Sequence, residues 1–205
     1  MENKFEKKIL ELFLFNNNLK FNEIEKQIKI RSNKLSYYIK NLIKKGILNK
    51  SEDNYSLSET AEYLIPYLSD KNSALPVIII HLGDKNQCFL YNRKKRPFKD
   101  YLSLPGGRFL TNESIPKATK RLMKKFNINA NFKKINSISL EHVQKQGSKS
   151  KIHSFILIFV SAITKDKILL TNINNNKKII IKSDYQLLKN DLNKEIKINT
   201  LYSKS

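Results

Sequence analysis

Acidic residues are scarce in this chain, and so are the residue types that build cross-links and metal cages. Of 205 residues only 18 are Asp or Glu, against 39 Lys or Arg, for a formal net charge of +21. The single cysteine, Cys88, excludes an intramolecular disulfide framework and any multi-cysteine zinc site. The three histidines, His81, His142 and His153, lack ligand-like spacing and read as strand or loop residues. The longest apolar run, Phe155 to Ile163, is too short to cross a bilayer and fits a buried strand. The N-terminal residues lack the basic-then-apolar pattern of a secretion signal. The expectation is a soluble, cytoplasmic protein without membrane contact.

What is abundant is lysine, asparagine and isoleucine. A biased genome would enrich all three, but it would enrich glutamate too, and glutamate stays low. The imbalance therefore points to contact with a polyanion. It is also uneven. Residues 1–70 hold 12 Lys+Arg against 10 Asp+Glu, whereas the rest of the chain holds the other 27 against 8, so the two parts carry +2 and +19.

The first part reads as residues 1–72, a small helical domain with a hairpin. Phe5, Ile9, Leu10, Leu12 and Phe13 recur at helical spacing, and Asn16-Asn17-Asn18 ends that helix. A second helix is expected from Asn22, with Glu25 as its capping-box partner. Ser32 is the expected cap of a third helix, Asn33 to Lys45, whose Leu35, Ile39, Leu42 and Ile43 face inward. Gly46 stops it. Ile47–Lys50 and Tyr55–Leu57 read as two short strands around a polar turn. A fourth helix is expected from Ser58, with Ala61, Leu64, Ile65 and Leu68 inside.

From Lys26 to Lys50 there are eight basic residues and no acidic one. A helix entering a major groove needs such a distribution, with cations for phosphates and small polar groups for base edges. The segment from Arg31 to Leu42, followed by Lys45-Gly46-Ile47, resembles the recognition helix and wing of prokaryotic winged helix-turn-helix transcription regulators. The resemblance implies double-stranded DNA as partner. Asn33, Ser36 and Tyr37 are then candidates for base edges, Arg31, Lys34, Lys40, Lys44 and Lys50 for phosphates, and Ser32 completes the expected DNA-binding set.

The second part, 73–205, opens with an apolar run, Val77 to Leu82, and a turn at Gly83–Asn86. Gln87 to Asn92 reads as the other strand of a hairpin. A basic loop with Arg93 and Arg96 leads to Leu104-Pro105-Gly106-Gly107. Glu113 follows Gly107 by six residues and Arg121 follows Glu113 by eight. This order resembles the Nudix hydrolases, whose box runs G-x5-E-x7-R-E-U-x-E-E-x-G-U. The resemblance covers 75 to about 192 and implies an α/β/α sandwich, so the chain as a whole is expected to be α+β.

The back half of the box has lost its acids. Leu122, Lys125 and Phe126 stand where the family has glutamates, and a one-residue slide restores none. A hard divalent cation needs several oxygen ligands, so no metal site is expected. Glu113 then reads as a helix-start residue favoured by the helix dipole. Beyond the box, Phe132–Glu141 and Ile152–Ile163 read as strands, as do Lys167–Thr171 and Lys178–Ile181. Ser183-Asp184 is the expected cap of a last helix.

The combination resembles regulators in which a Nudix-like domain senses a nucleotide-type metabolite without cleaving it. Arg93, Arg96, Arg108, Lys124 and Lys125 would hold anionic groups, aided by backbone amides near Gly106 and Gly107. A homodimer is the expected assembly. An alternative is a divergent magnesium-dependent hydrolase of nucleoside diphosphate derivatives, using Glu113, Glu141 and Asp100. A second is a general nucleic-acid binder using both domains.

Overall fold

Apolar residues at helical spacing, and a strand buried on both faces, account for most of the architecture. The computed structural model describes residues 4–62, 73–95, 97–144 and 151–201. It divides into two compact units, Met1–Ser73 and Ala74–Ser205.

In the first unit, helix α1 (Lys4–Leu12) buries Ile9 and Leu10. Asn16 ends it by donating its side-chain amide to the Leu12 carbonyl at 2.8 Å. Strand β1 (Leu19–Lys20) leads into α2 (Phe21–Ile28). The start of α2 differs from the sequence expectation. Glu23, not Glu25, turns back to accept the Lys20 N–H at 2.6 Å, which satisfies one orphan amide of the first turn. Glu25 instead accepts a hydrogen bond from the Ser32 hydroxyl. Ser32 is therefore the first residue of α3 (Ser32–Lys44) rather than its cap.

Helix α3 buries Leu35, Tyr38, Ile39 and Leu42. Gly46, at φ 68°, reverses the chain where an L side chain would be strained. Strands β2 (Leu48–Ser51) and β3 (Asn54–Leu57) form the expected hairpin. β3 also pairs with β1, giving a three-stranded sheet ordered β1-β3-β2. A two-residue strand leaves no periodic trace, so the sequence could not announce it. Lys45 Nζ meets the mostly buried Glu6 at 2.7 Å and ties the end of α3 to α1. Ser58 accepts from the Ala61 N–H at 3.2 Å and opens α4 (Glu59–Glu62). Leu64, Ile65 and Leu68 lie outside the described residues.

The second unit is built on β4 (Leu75–Leu82). Ile78, Ile80 and Leu82 join one core, while Val77 and Ile79 join the other. Both faces are apolar because β4 is an inner strand of a sheet ordered β8-β4-β10-β9. β10 (Lys151–Thr164) runs parallel to β4 and antiparallel to β9 (Ala130–Gln144). β8 (Gly106–Arg108) is antiparallel to β4. Helix α5 (Ile115–Lys124) covers one face through Ala118, Leu122 and Met123. Helix α6 (Lys182–Asn190) covers the other through Leu187 and Leu188.

Three expectations are corrected here. The stretch 87–92 is not one strand. β5 (Gln87–Cys88) pairs with β11 (Thr171–Asn172), and β6 (Tyr91–Asn92) pairs with β7 (Leu102–Ser103). The turn itself holds, with the Phe89 N–H bonded to the Leu82 carbonyl, but the chain then leaves β4 to reach β7. Of the strands expected at 167–171 and 178–181, only β11 forms. Ile180 and Ile181 are buried in a turn that bonds to Leu102 on both its N–H and its carbonyl. Their apolarity reports burial, not strand. Asp184 does not cap α6; it is buried inside the helix's first turn.

Gly106 marks the tightest approach in this sheet. A Cβ there would lie 2.5 Å from the Ile78 carbonyl oxygen, a backbone atom that cannot swing aside. We expect Gly106→Ala to lower stability by about 2 kcal/mol or more, read as the urea midpoint. An unchanged midpoint would show that β4 and β8 are not so close.

Candidate functional site

The Leu-Pro-Gly-Gly segment is placed by hydrogen bonds and by the absence of side chains. Leu104 and Pro105 are buried. The Leu104 N–H donates to Asp184 Oδ2 at 2.8 Å, and the Ser103 hydroxyl reaches the same oxygen at 3.0 Å. Gly106 and Gly107 sit in the β-ladder opposite Ile79 and Ile78. Both therefore belong to β8, an edge strand of that sheet. Gly107 lies under α5. A Cβ there would be 2.7 Å from Leu122 Cδ2 and 3.8 Å from Lys125 Nζ.

Glu113 has a definite partner. Arg121 Nε donates to Glu113 Oε2 at 2.8 Å and Nη2 donates to Oε1 at 2.5 Å. The same Nη2 donates to the Arg108 carbonyl, and Glu113 also accepts the Leu110 N–H at 2.7 Å. This two-point pair holds residues 108–113 against the helix. The hydrogen bonds from Arg121 keep the Glu113 carboxyl below its ordinary range. Ser114, not Glu113, is the N-cap of α5, so the dipole explanation of Glu113 gives way to the ion pair.

Of the three positions where the resemblance places acids, two carry packed apolar side chains and the third, Lys125, is exposed. Leu122 is fully buried against Gly107. Phe126 packs on Phe89, with ring centroids 5.3 Å apart, and on Tyr91, at 4.9 Å. Lys124 and Lys125 are exposed. Among the described residues no three of His, Cys, Asp or Glu are grouped to hold a metal. The donor set at the box is one carboxylate already neutralised by a guanidinium, which does not fit magnesium.

The nominated cations divide in two. Arg108, Lys124 and Lys125 are exposed around Gly107 and the end of α5. Arg93 turns into its own loop, where Nε donates to the Lys95 and Pro97 carbonyls at 3.1 and 2.7 Å. Arg96 lies outside the described residues. Glu141, half-buried on β9, is paired in register with Phe155, and Asp100 is exposed at φ 70°.

Sequence reasoning missed Asp184. Its position after Ser183 looked like a cap, and only the fold brings it 80 residues back to Leu104. Burial pushes its pKa up to about 7; the Leu104 N–H and Ser103 hydroxyl pull the other way, nearby Glu141 adds to the rise, and Arg93 opposes it. Cys88, also buried, has its thiol pushed up to about 12 by desolvation and is not a nucleophile at neutral pH.

In the first unit, Asn33, Tyr37, Lys40 and Lys44 fall on one exposed face of α3, opposite the buried Leu35 and Leu42. Arg31, Lys34 and Lys50 are also exposed, and Ser36 is half-buried. Two nominated residues are already engaged. The Ser32 hydroxyl is spent on Glu25, and the Lys34 ammonium lies 4.3 Å from the centroid of the Phe5 ring.

No family model and no curated protein matches the sequence. Solved structures similar to it include a Nudix hydrolase from Nitrosomonas europaea, at 12% identity and TM-score 0.47, over 57% of this chain and 87% of that one. A MutT protein from Bacillus halodurans is similar at 16% identity and TM-score 0.42, over 56% and 80%. A UDP-X diphosphatase is similar at 16% identity and TM-score 0.43, over 77% and 78%. No helix among the described residues is long and apolar enough to cross a membrane.

Asp184 generates a pH prediction. Its folded pKa lies above the unfolded value of 3.8, so the folded state binds more protons between the two. Its contribution to stability is full below about pH 4 and falls as pH rises toward 7, by on the order of a few kcal/mol. Asp184→Asn keeps an oxygen for both donors and cannot ionise. We expect the melting temperature of the variant, relative to the parent, to rise between pH 5 and pH 8. A difference that stays flat with pH would remove Asp184 from this role.

Proposed function

We propose that this chain is a DNA-binding transcription regulator whose Nudix-like second domain holds a nucleotide-type or other phosphorylated ligand without cleaving it. The observation that carries the reading is the box that has lost its acids. Leu122 on α5 and Phe126 just past its end stand at positions that a metal-dependent hydrolase of this kind fills with carboxylates, and Glu113 is committed to Arg121. Grip without cleavage needs only cations, and Arg108, Lys124 and Lys125 stand exposed beside Gly107. In the first unit, the order of three helices and a hairpin, with Asn33, Tyr37, Lys40 and Lys44 on one exposed face, supports a winged helix-turn-helix. A homodimer would present two such helices to successive half-sites, and a ligand that favours one spacing would shift DNA affinity.

The second reading is a divergent magnesium-dependent hydrolase of nucleoside diphosphate derivatives, which agrees with the names of the similar solved structures. It requires Glu113 to leave Arg121 and to act with Glu141 and Asp100.

Two measurements separate these readings. A thermal-shift series with nucleotide sugars and ADP-ribose, with and without magnesium, should give a magnesium-independent rise for the ligand that binds. Saturation at about 100 Kd corresponds to about 2.7 kcal/mol. Magnesium-dependent release of monophosphate from any of these compounds would establish the hydrolase instead. For DNA, a duplex selected from a random library should lose affinity at least about tenfold on Lys40→Glu with Lys44→Glu, and its salt slope should fall by about two. A protein that retains no duplex from the library would end the regulator reading.

A further inference from the structure

One hollow in the second unit lies away from the box. It lies along the outer face of α6 and has a volume of about 430 Å³, within the range of small-ligand sites. Lys182, Tyr185 and Lys189 follow one another at helical spacing on that face, while Asp184, Leu187 and Leu188 are buried on the other. The facing wall comes from Lys177 and Lys178, in the turn before the helix, and from Tyr101, just before β7. A second hollow of about 240 Å³ shares Tyr185 and Lys189 and adds Lys85, Asn174 and Asn193. The two together form a groove with five lysines and no acidic residue in its lining.

Two features distinguish this groove from a merely solvated basic face. The lysines are interleaved with aromatic rings. Tyr101 is nearly half exposed, and the Lys177 ammonium stands 5.4 Å from the Tyr185 ring centroid. Ammonium groups and ring faces side by side fit a phosphate joined to a planar base. Paired hollows with a common wall also fit two successive units of a chain better than a single anion. The groove is separate from the box, since α5 with Leu122 covers the opposite face of the sheet.

We propose that this groove binds nucleotide phosphates, with a base stacked on Tyr101 or Tyr185 and the phosphates held by Lys177, Lys178, Lys182 and Lys189. The same chemistry is presented by a free nucleotide and by single-stranded nucleic acid. This inference does not depend on the proposed function, because it uses neither α3 nor the box.

The test uses the full chain. Binding of a labelled oligothymidylate of about ten residues is followed by fluorescence anisotropy, and binding of ADP by calorimetry. Lys177→Glu with Lys189→Glu should weaken whichever probe binds by at least about tenfold and lower its salt slope. Tyr101→Ala should weaken it by at least about fivefold. Lys189→Arg, which keeps the charge, should bind as the parent does. Lys117→Glu with Lys120→Glu, exposed on α5 and outside the groove, should leave the binding in place. Loss of the oligothymidylate identifies a single-strand site, and loss of ADP alone identifies a free-nucleotide site. If neither probe binds the parent, or if binding survives the charge reversals, the groove has no such role. All variants should keep the parent's circular dichroism, since the exchanged side chains are exposed lysines and a partly exposed tyrosine.

Discussion

The contact between Gly107 and Leu122 sets how closely α5 packs on β8. Gly107 has no side chain, so α5 descends onto β8 until Leu122 touches the backbone. A leucine at that place removes water and contributes about 1.5–3 kcal/mol by its burial. A carboxylate in the same apolar pocket would be costly unless a cation paid it back. Leu122 and a metal-binding acid are therefore alternatives for one volume. Phe126, in the turn just past α5, extends the apolar choice to Phe89 and Tyr91. The box helix is a packing element here before it is anything else.

The parts legible in the sequence were those with a local period or a fixed spacing. The amphipathic α1, α3 and α5, the double-sided β4, and the Gly107–Glu113–Arg121 spacing all leave local marks. What escaped was set at a distance. The apolar stretch within 87–92 fits one strand or two short ones equally well, and only the demands of β7 and β11 divide it. β1 is too brief to leave a pattern, and its partner Tyr55 lies far along the chain. Ile180 and Ile181 have strand-like side chains but are used to plug a turn. At the candidate site, Glu113 and Arg121 were found by spacing, but their union was not, because nothing local states that a guanidinium will fold back across two helical turns. Asp184 was hidden for the same reason.

The charge imbalance finds a partial address. Among the described cations expected near the box, Arg93 donates into its own loop, and Arg108, Lys124 and Lys125 are open. The groove along α6 gathers five more lysines without an acid among them. Like charges gathered along one groove repel one another and lower stability, so their concentration there has a cost that uniform scattering would avoid. A polyanion that neutralises them removes that cost, and binding and stability become linked.

The Glu113–Arg121 pair shows why a retained motif residue is weak testimony for retained chemistry. Glu113 accepts two hydrogen bonds from Arg121 of α5 and one from the Leu110 N–H within the loop 108–113, so it has work to do in the absence of any metal. Removing one partner of such a half-buried pair costs more than the pair is worth, because the other charge is left unmatched. Exchange of Glu113 alone would therefore disturb the loop that borders Gly107 in a hydrolase and in a sensor alike. The discriminating variable is the metal: a carboxylate engaged by Arg121 has no call on magnesium, whereas one that must leave Arg121 to bind it makes every turnover depend on magnesium concentration.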